Sequence, residues 1–267
     1  MKKVFKFSLL FLLTSYILFL VGLILFQEKL IFNPTKLPQD YTFNFKENFE
    51  KINILTEEDD TINSLYFYSK ESKGVVYFLH GNSGNLSGWG DVAPYFTKMN
   101  YDVFMIDYRG FGKSTGKIFS EKQFLNDAQI GYDFLKTWHP EKNISILGYS
   151  IGTGPAAYLT ANNQPRNLVL VSPYYSFEAL AQEKIPYILP AFILKYPLKT
   201  NEFLKESKTP ITIFHGEEDR LIPIHHAKKL TDELKNKKFN YYPIEGLGHH
   251  GILKNYVFLD KMDSILK

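Results

Sequence analysis

The stretch Asn143-Ile144-Ser145-Ile146-Leu147-Gly148-Tyr149-Ser150-Ile151-Gly152 decides the fold. Its apolar first half has the make-up of a buried β-strand, and it runs without a spacer into Ser150. A segment rich in small residues, Ile151–Asn162, follows at once and reads as a helix. A serine caught between a strand and a helix sits on a sharp turn that exposes its Oγ. The helix N-terminus then aims backbone amides and its positive dipole end at whatever reacts there.

The same G-x-S-x-G spacing recurs at Gly112-Lys113-Ser114-Thr115-Gly116, but Ser114 stands several residues past its strand, with no helix directly behind it. Gly112-Lys113-Ser114 also imitates the end of a phosphate-binding loop; the earlier glycine that such a loop requires is Asp107 here. Ser150 is therefore the candidate nucleophile, and Ser114 reads as a structural loop residue.

Outward from this turn the chain alternates strand and helix patterns. Strands are expected over 51–56, 61–68, 74–80, 102–107, 143–149, 167–172, 211–215 and 239–244. Helices are expected over 89–98, 121–138, 151–162, 225–234 and 252–265. Continuous apolar runs such as Val75-Val76-Tyr77-Phe78-Leu79 indicate strands covered on both faces. The first two strands follow one another directly, as in an antiparallel opening. The expectation is a doubly wound α/β sheet with helices on both sides.

Ligands of such sheets bind beyond the carboxyl ends of the strands. The residues there are His80-Gly81-Asn82-Ser83, Asp107-Tyr108-Arg109-Gly110, Ser150, Ser172-Pro173, His215-Gly216-Glu217-Glu218-Asp219 and Gly248-His249-His250. A serine hydroxyl needs an imidazole to take its proton, and the imidazole needs a carboxylate to hold its tautomer. Asp219 lies where the chain has cleared its strand and before Pro223, which favours it over Glu217 and Glu218, read as solvated loop charges. His249 and His250 follow the last strand in a loop loosened by Gly246, Gly248 and Gly251. His225, His226 and His139 read as surface residues at helix ends, and His80 and His215 as loop ties.

These motifs together, His80-Gly81-Asn82-Ser83-Gly84-Asn85, Asp107 to Ser114, Gly148 to Gly152, His215 to Asp219 and Gly246-Leu247-Gly248-His249, resemble the α/β-hydrolase superfamily. More narrowly, they resemble its small membrane-anchored branch, related to serine aminopeptidase-type hydrolases and protein depalmitoylases. The resemblance implies an α/β-hydrolase fold, a mostly parallel central sheet flanked by helices, with a short cap. It places the base on His249 rather than His250 and the acid on Asp219. It also implies oxyanion donors at the backbone amides of Ile151 and Asn82, with Ser83 as the fallback for the second. Ser83 stands where this branch often has a small apolar residue.

The implied activity is hydrolysis of a carboxylic ester or thioester through an acyl-enzyme, on a small-molecule or acylated substrate. It requires no metal or organic cofactor. A peptidase using the same residues is the first alternative, and a non-catalytic membrane-tethered binding protein the second. A cap is expected over about 174–208, where Pro186, Pro190 and Pro197 break the chain into short helices among Tyr187, Phe192, Tyr196 and Phe203. An aromatic cap suits an acyl chain, unless these rings only pack the cap onto the sheet.

At the N-terminus, Phe7 to Phe26 is a run of twenty residues without a formal charge. As a helix it spans about 30 Å, the thickness of a bilayer core. It ends Leu23-Ile24-Leu25-Phe26-Gln27, with no small-residue cleavage site, so an uncleaved signal anchor is preferred to a cleaved signal peptide or a buried helix. Lys2, Lys3 and Lys6 precede it, which puts the N-terminus in the cytoplasm and the domain outside. The expected organisation is an anchor at 1–28, a stiff linker at 29–40 carrying Pro34 and Pro38, and a hydrolase domain at 41–267.

Composition supports this reading. The 267 residues are 45% hydrophobic and 22% charged, enough for one large core and too apolar for disorder. The chain has 31 basic and 28 acidic side chains, and without the three N-terminal lysines the two are equal. That balance gives no footprint for nucleic acid. With no cysteine, thiol nucleophiles, thiolate metal sites and disulfides are excluded.

Overall fold

A computed structural model describes residues 2–185 and 190–267. The chain opens with α1 (Lys2–Ile31), then β1 (Asn33–Pro34), β2 (Phe49–Leu55), β3 (Thr61–Phe67), β4 (Val75–Leu79) and β5 (Ser83–Gly84). Next come α2 (Leu86–Trp89), α3 (Ala93–Thr97), β6 (Asp102–Ile106), α4 (Glu121–Trp138), β7 (Ile144–Tyr149), α5 (Thr153–Asn162) and β8 (Asn167–Val171). The remainder is α6 (Phe177–Lys184), α7 (Thr200–Glu206), β9 (Ile211–Gly216), α8 (His225–Glu233), β10 (Phe239–Ile244) and α9 (Tyr256–Leu266).

Among the described residues, eight strands form one sheet in the order β10-β9-β8-β7-β4-β6-β3-β2. β2 and β3 pair antiparallel, as does β3 with β6, and the neighbours from β6 through β10 are parallel. Alternation along the strands feeds two cores. Val75, Tyr77 and Leu79 of β4 enter one, while Val76 and Phe78 enter the other. The expected doubly wound sheet and its antiparallel opening are both present.

Two expected helices are broken. The segment 89–98 splits into α2, a 3₁₀ turn at Gly90–Val92 and α3, which restarts at Ala93 with Pro94 in its first turn, where a helix tolerates proline. The segment 252–265 begins as a 3₁₀ turn, and α9 starts afresh where Asn255 caps the Val257 amide.

α1 has thirty residues, about 45 Å at 1.5 Å per residue, which exceeds the bilayer core. Its mean hydropathy reaches 2.7, and the most apolar part packs on nothing in the protein. It is long and apolar enough to cross a membrane.

The stretch 29–40 does not behave as the stiff spacer expected of it. Phe32 is buried edge-on to Phe124 and Tyr196. β1 pairs with β5, and Lys36 bridges to Gly112. An apolar ring and two backbone pairings thus hold the end of α1 against the domain.

The cap over 174–208 contains α6, started by a Ser176 side-chain cap, a 3₁₀ turn at Ala191–Ile193, and α7. Expectations for Pro186 and Tyr187 lie outside the described residues. The other aromatic side chains divide their labour. Tyr196 is buried and Phe203 packs on Tyr158, whereas Phe192 is 87% exposed.

Candidate active site

Ser150 leaves β7 with φ +54°, a left-handed conformation uncommon for a residue with a Cβ. The flanking glycines are there because backbones meet. A Cβ at Gly152 would stand 2.2 Å from the Leu79 carbonyl oxygen, and one at Gly148 would stand 2.5 Å from the Gly152 carbonyl oxygen. The Thr153 hydroxyl donates to the Ser150 carbonyl at 2.6 Å and closes the turn.

The structure brings Ser150, His249 and Asp219 together from the ends of three strands. His249 Nε2 lies 3.0 Å from Ser150 Oγ, and His249 Nδ1 lies 2.7 Å from Asp219 Oδ2. A carboxylate can only accept, so Nδ1 carries the proton and Nε2 is left as acceptor for the serine hydroxyl. All three residues are buried, between 5% and 8% exposed.

Burial alone would raise the Asp219 pKa, but hydrogen bonds from His215, His249 and the Ile222 amide outweigh it. The carboxyl is held well below the usual carboxylate range. Its Oδ1 accepts the amides of Leu221 and Ile222, each at 2.9 Å.

His215 is more than a loop tie. Its Nε2 lies 2.7 Å from the Ile222 carbonyl and 3.4 Å from Asp219 Oδ2, so one N–H steadies both the loop and the carboxylate. Four-residue spacing to Asp219 was the available signal. Tyr149 was also missed as a positioning residue: its hydroxyl donates to the His249 carbonyl at 2.7 Å. His250 lies beside this contact, its Nδ1 3.4 Å from the same hydroxyl, and outside the Ser150–His249–Asp219 chain.

Two other histidines depart from the surface role expected of them. His226 is 1% exposed, accepts the Tyr175 amide at Nδ1 and meets Glu183 of α6 at 3.2 Å. Burial, with neighbouring His225, pushes its pKa down to about 4. His225 does lie at the surface, also on Glu183. His139 is half-buried, stacked on Tyr66 and bonded to its hydroxyl. His80 is fully buried, bonded to the Gly81 carbonyl, with its pKa pushed by burial down to about 4.

Ser114 donates to the Asp107 carbonyl and accepts the Asn63 amide, which ties its loop. Glu217 and Glu218 are exposed. Ser83 is exposed and sits in the β1–β5 pairing.

Ser150, Ile151 and Asn82 line a cavity of about 350 Å³, with much of the rest of its lining from α1 and α6. That is the size of a small-ligand site. Among the described residues its lining holds no carboxylate, and Lys184 is its one charged side chain. Such a constellation can deprotonate a serine as it attacks a carbonyl, in surroundings suited to an apolar group.

A family model described as Hydrolase_4, serine aminopeptidase, S33, matches residues 70–201. The putative alpha/beta hydrolase L404 of Acanthamoeba polyphaga mimivirus is 31% identical over 237 residues, covering 85% of this chain and 87% of that protein. The lysophosphatidylserine lipase ABHD12 of Mus musculus is 28% identical over 259 residues, covering 82% of this chain and 64% of its own. The solved Pyrococcus furiosus esterase Pf2001 shares the fold with a TM-score of 0.69 at 19% identity, over 88% of this chain and 98% of that one. The chain belongs to the α/β-hydrolase superfamily. Within it, it is an enzyme of the serine hydrolase type.

Proposed function

We propose that this membrane-anchored hydrolase cleaves a carboxylic ester or thioester through an acyl-enzyme. The observation that carries the reading is the unbroken hydrogen-bond chain from Asp219 through His249 to Ser150, which lines an apolar cavity. Ser150 Oγ attacks the carbonyl carbon while His249 Nε2 takes its proton. The tetrahedral oxyanion is held by the amides of Ile151 and Asn82, both beside Ser150 in the cavity wall. His249 then protonates the leaving alcohol or thiol. Water, activated by the same imidazole, releases the acid and restores the serine. Asp219 keeps the imidazole in its tautomer and stabilises the imidazolium that forms.

An aminopeptidase would need a carboxylate near Ser150 to receive the substrate's amine. The carboxylate-free lining speaks for an uncharged acyl group instead. Residues 1–28 act as the anchor and 41–267 as the hydrolase domain, with the cap at about 174–208. The N-terminal lysines favour a cytoplasmic N-terminus and an extracytoplasmic domain; protection of the domain from protease added to intact cells would overturn that orientation.

The activity is tested with a fluorophosphonate probe on the full-length chain in detergent. Labelling should map to Ser150 and vanish in Ser150→Ala, together with hydrolysis of p-nitrophenyl butyrate. Folded wild-type protein that takes up no label, or Ser150→Ala protein that still hydrolyses the ester, would overturn the reading.

A further inference from the structure

The candidate cavity is not enclosed by the hydrolase domain alone. Leu23, Gln27, Leu30 and Ile31 of α1 line it, at positions i, i+4, i+7 and i+8 of one helix face. Across from them, Phe177, Leu180 and Lys184 of α6 line it at i, i+3 and i+7. Leu23 belongs to the uncharged run that ends at Phe26, within bilayer-spanning reach, whereas Gln27 and Glu28 begin the polar boundary.

α1 is fastened to the cap segment that follows α6. The Gln27 side chain donates to the Ile193 carbonyl at 2.7 Å and accepts the Lys195 amide at 2.8 Å. Glu28 accepts from Lys195 and Tyr196 of the same cap segment. Beside this clamp stands exposed Phe192, and Leu221, 53% exposed, lies on the cavity lining. Both are exposed apolar side chains near the α1–cap contact.

We propose that α1 is a wall of the acyl site, and that the acyl chain of a membrane-resident ester reaches Ser150 sideways from the leaflet, between α1 and α6. Leu23 then acts as a specificity-determining residue that extends the pocket toward the bilayer, while Leu30 lines it beyond the polar boundary. The chain moves from lipid to protein along a continuous apolar surface, and only the reacting carbonyl enters polar surroundings. This inference rests on Ser150 being the nucleophile.

The test uses full-length protein in phosphatidylcholine vesicles, with p-nitrophenyl palmitate and p-nitrophenyl butyrate as substrates. Leu23→Trp fills the cavity from the α1 side, and Leu25→Trp places the same bulk on the face of α1 that does not line it. Leu23→Trp should lower the palmitate-to-butyrate ratio of kcat/KM by about tenfold or more, the scale on which apolar pockets discriminate chain size. Leu25→Trp should leave the ratio unchanged. Equal ratios in wild type, Leu23→Trp and Leu25→Trp, or an equal fall in both variants, would overturn the wall. Fluorophosphonate labelling reports whether the variant's site is folded. If Leu23→Trp does not label, Leu23→Ala takes its place: a preference shifted toward longer chains supports the wall, and an unchanged chain-length profile overturns it. Ester hydrolysis surviving in Ser150→Ala would instead overturn the assignment of the nucleophile, and that outcome is independent of any α1 variant.

Discussion

The side-chain amide of Asn82 donates to the carbonyl of Ile31 at 2.9 Å, and the Asn82 carbonyl accepts the Asn33 amide at 2.8 Å. The last turn of α1 is thereby bonded to the loop whose backbone amide we assign to the oxyanion. The end of α1 and the loop of the proposed oxyanion donor thus meet at one residue.

Asn82→Ala keeps the backbone amide and removes its fastening to Ile31. We expect kcat to fall about tenfold to a hundredfold with KM little changed, since misplacing a donor by about an ångström costs on that order. Steady-state kinetics on p-nitrophenyl butyrate decide it; a change confined to KM would argue against a role in the transition state.

Asp219→Asn should lower kcat by about 10³–10⁴. It also has a signature in stability. A carboxyl depressed in the folded state stabilises the protein above its unfolded pKa, and that stabilisation is lost as pH falls toward the folded value. The Tm gap between wild type and Asp219→Asn should therefore be constant above about pH 5 and shrink below pH 4. A gap independent of pH would contradict the assigned charge state.

His80 and His226 are both pushed by burial to about 4, so each takes up a proton on unfolding at mildly acidic pH. The unfolded state then binds more protons than the folded one between about pH 6.5 and 4. Stability should be fully present above this window and fall as pH drops through it, by up to about 1.4 kcal/mol per pH unit for each histidine. Denaturation of His226→Gln at several pH values should give a shallower slope by one proton's worth; an unchanged slope would exclude His226.

Gly152→Ala forces a methyl group against the Leu79 carbonyl oxygen. The turn carrying Ser150 must shift, and we expect about 1–3 kcal/mol of destabilisation together with loss of fluorophosphonate labelling. Wild-type labelling in this variant would show that the close approach does not set the serine's position.

The central sheet strands could be read from apolar runs, because a strand covered on both faces has little freedom in composition, whereas the edge strands β2 and β10 are only partly buried. Ser150 could be read for a related reason: glycines two residues either side of it are demanded by backbone contact. Place after a strand favoured Asp219 but left His249 and His250 open, and only the family resemblance chose His249; the structure puts His249 between Asp219 and Ser150 at hydrogen-bond distances. Gln27 was illegible, since its partners Ile193 and Lys195 lie far along the chain and a single polar residue ending an apolar helix looks like a membrane boundary. His226 misled for the opposite reason. A histidine at a helix start is usually solvated, and its contacts with the Tyr175 amide and Glu183 of α6 lie 51 and 43 residues away in sequence.

The left-handed backbone at Ser150 bears on how this protein would age in evolution. A glycine at that position would relax the turn by on the order of 1 kcal/mol and leave the surrounding packing intact. A lineage with no further use for the hydroxyl would thus gain robustness by discarding it, in a single substitution. If Ser150 is the nucleophile we propose, decay of this enzyme into an inert paralogue should begin at that residue.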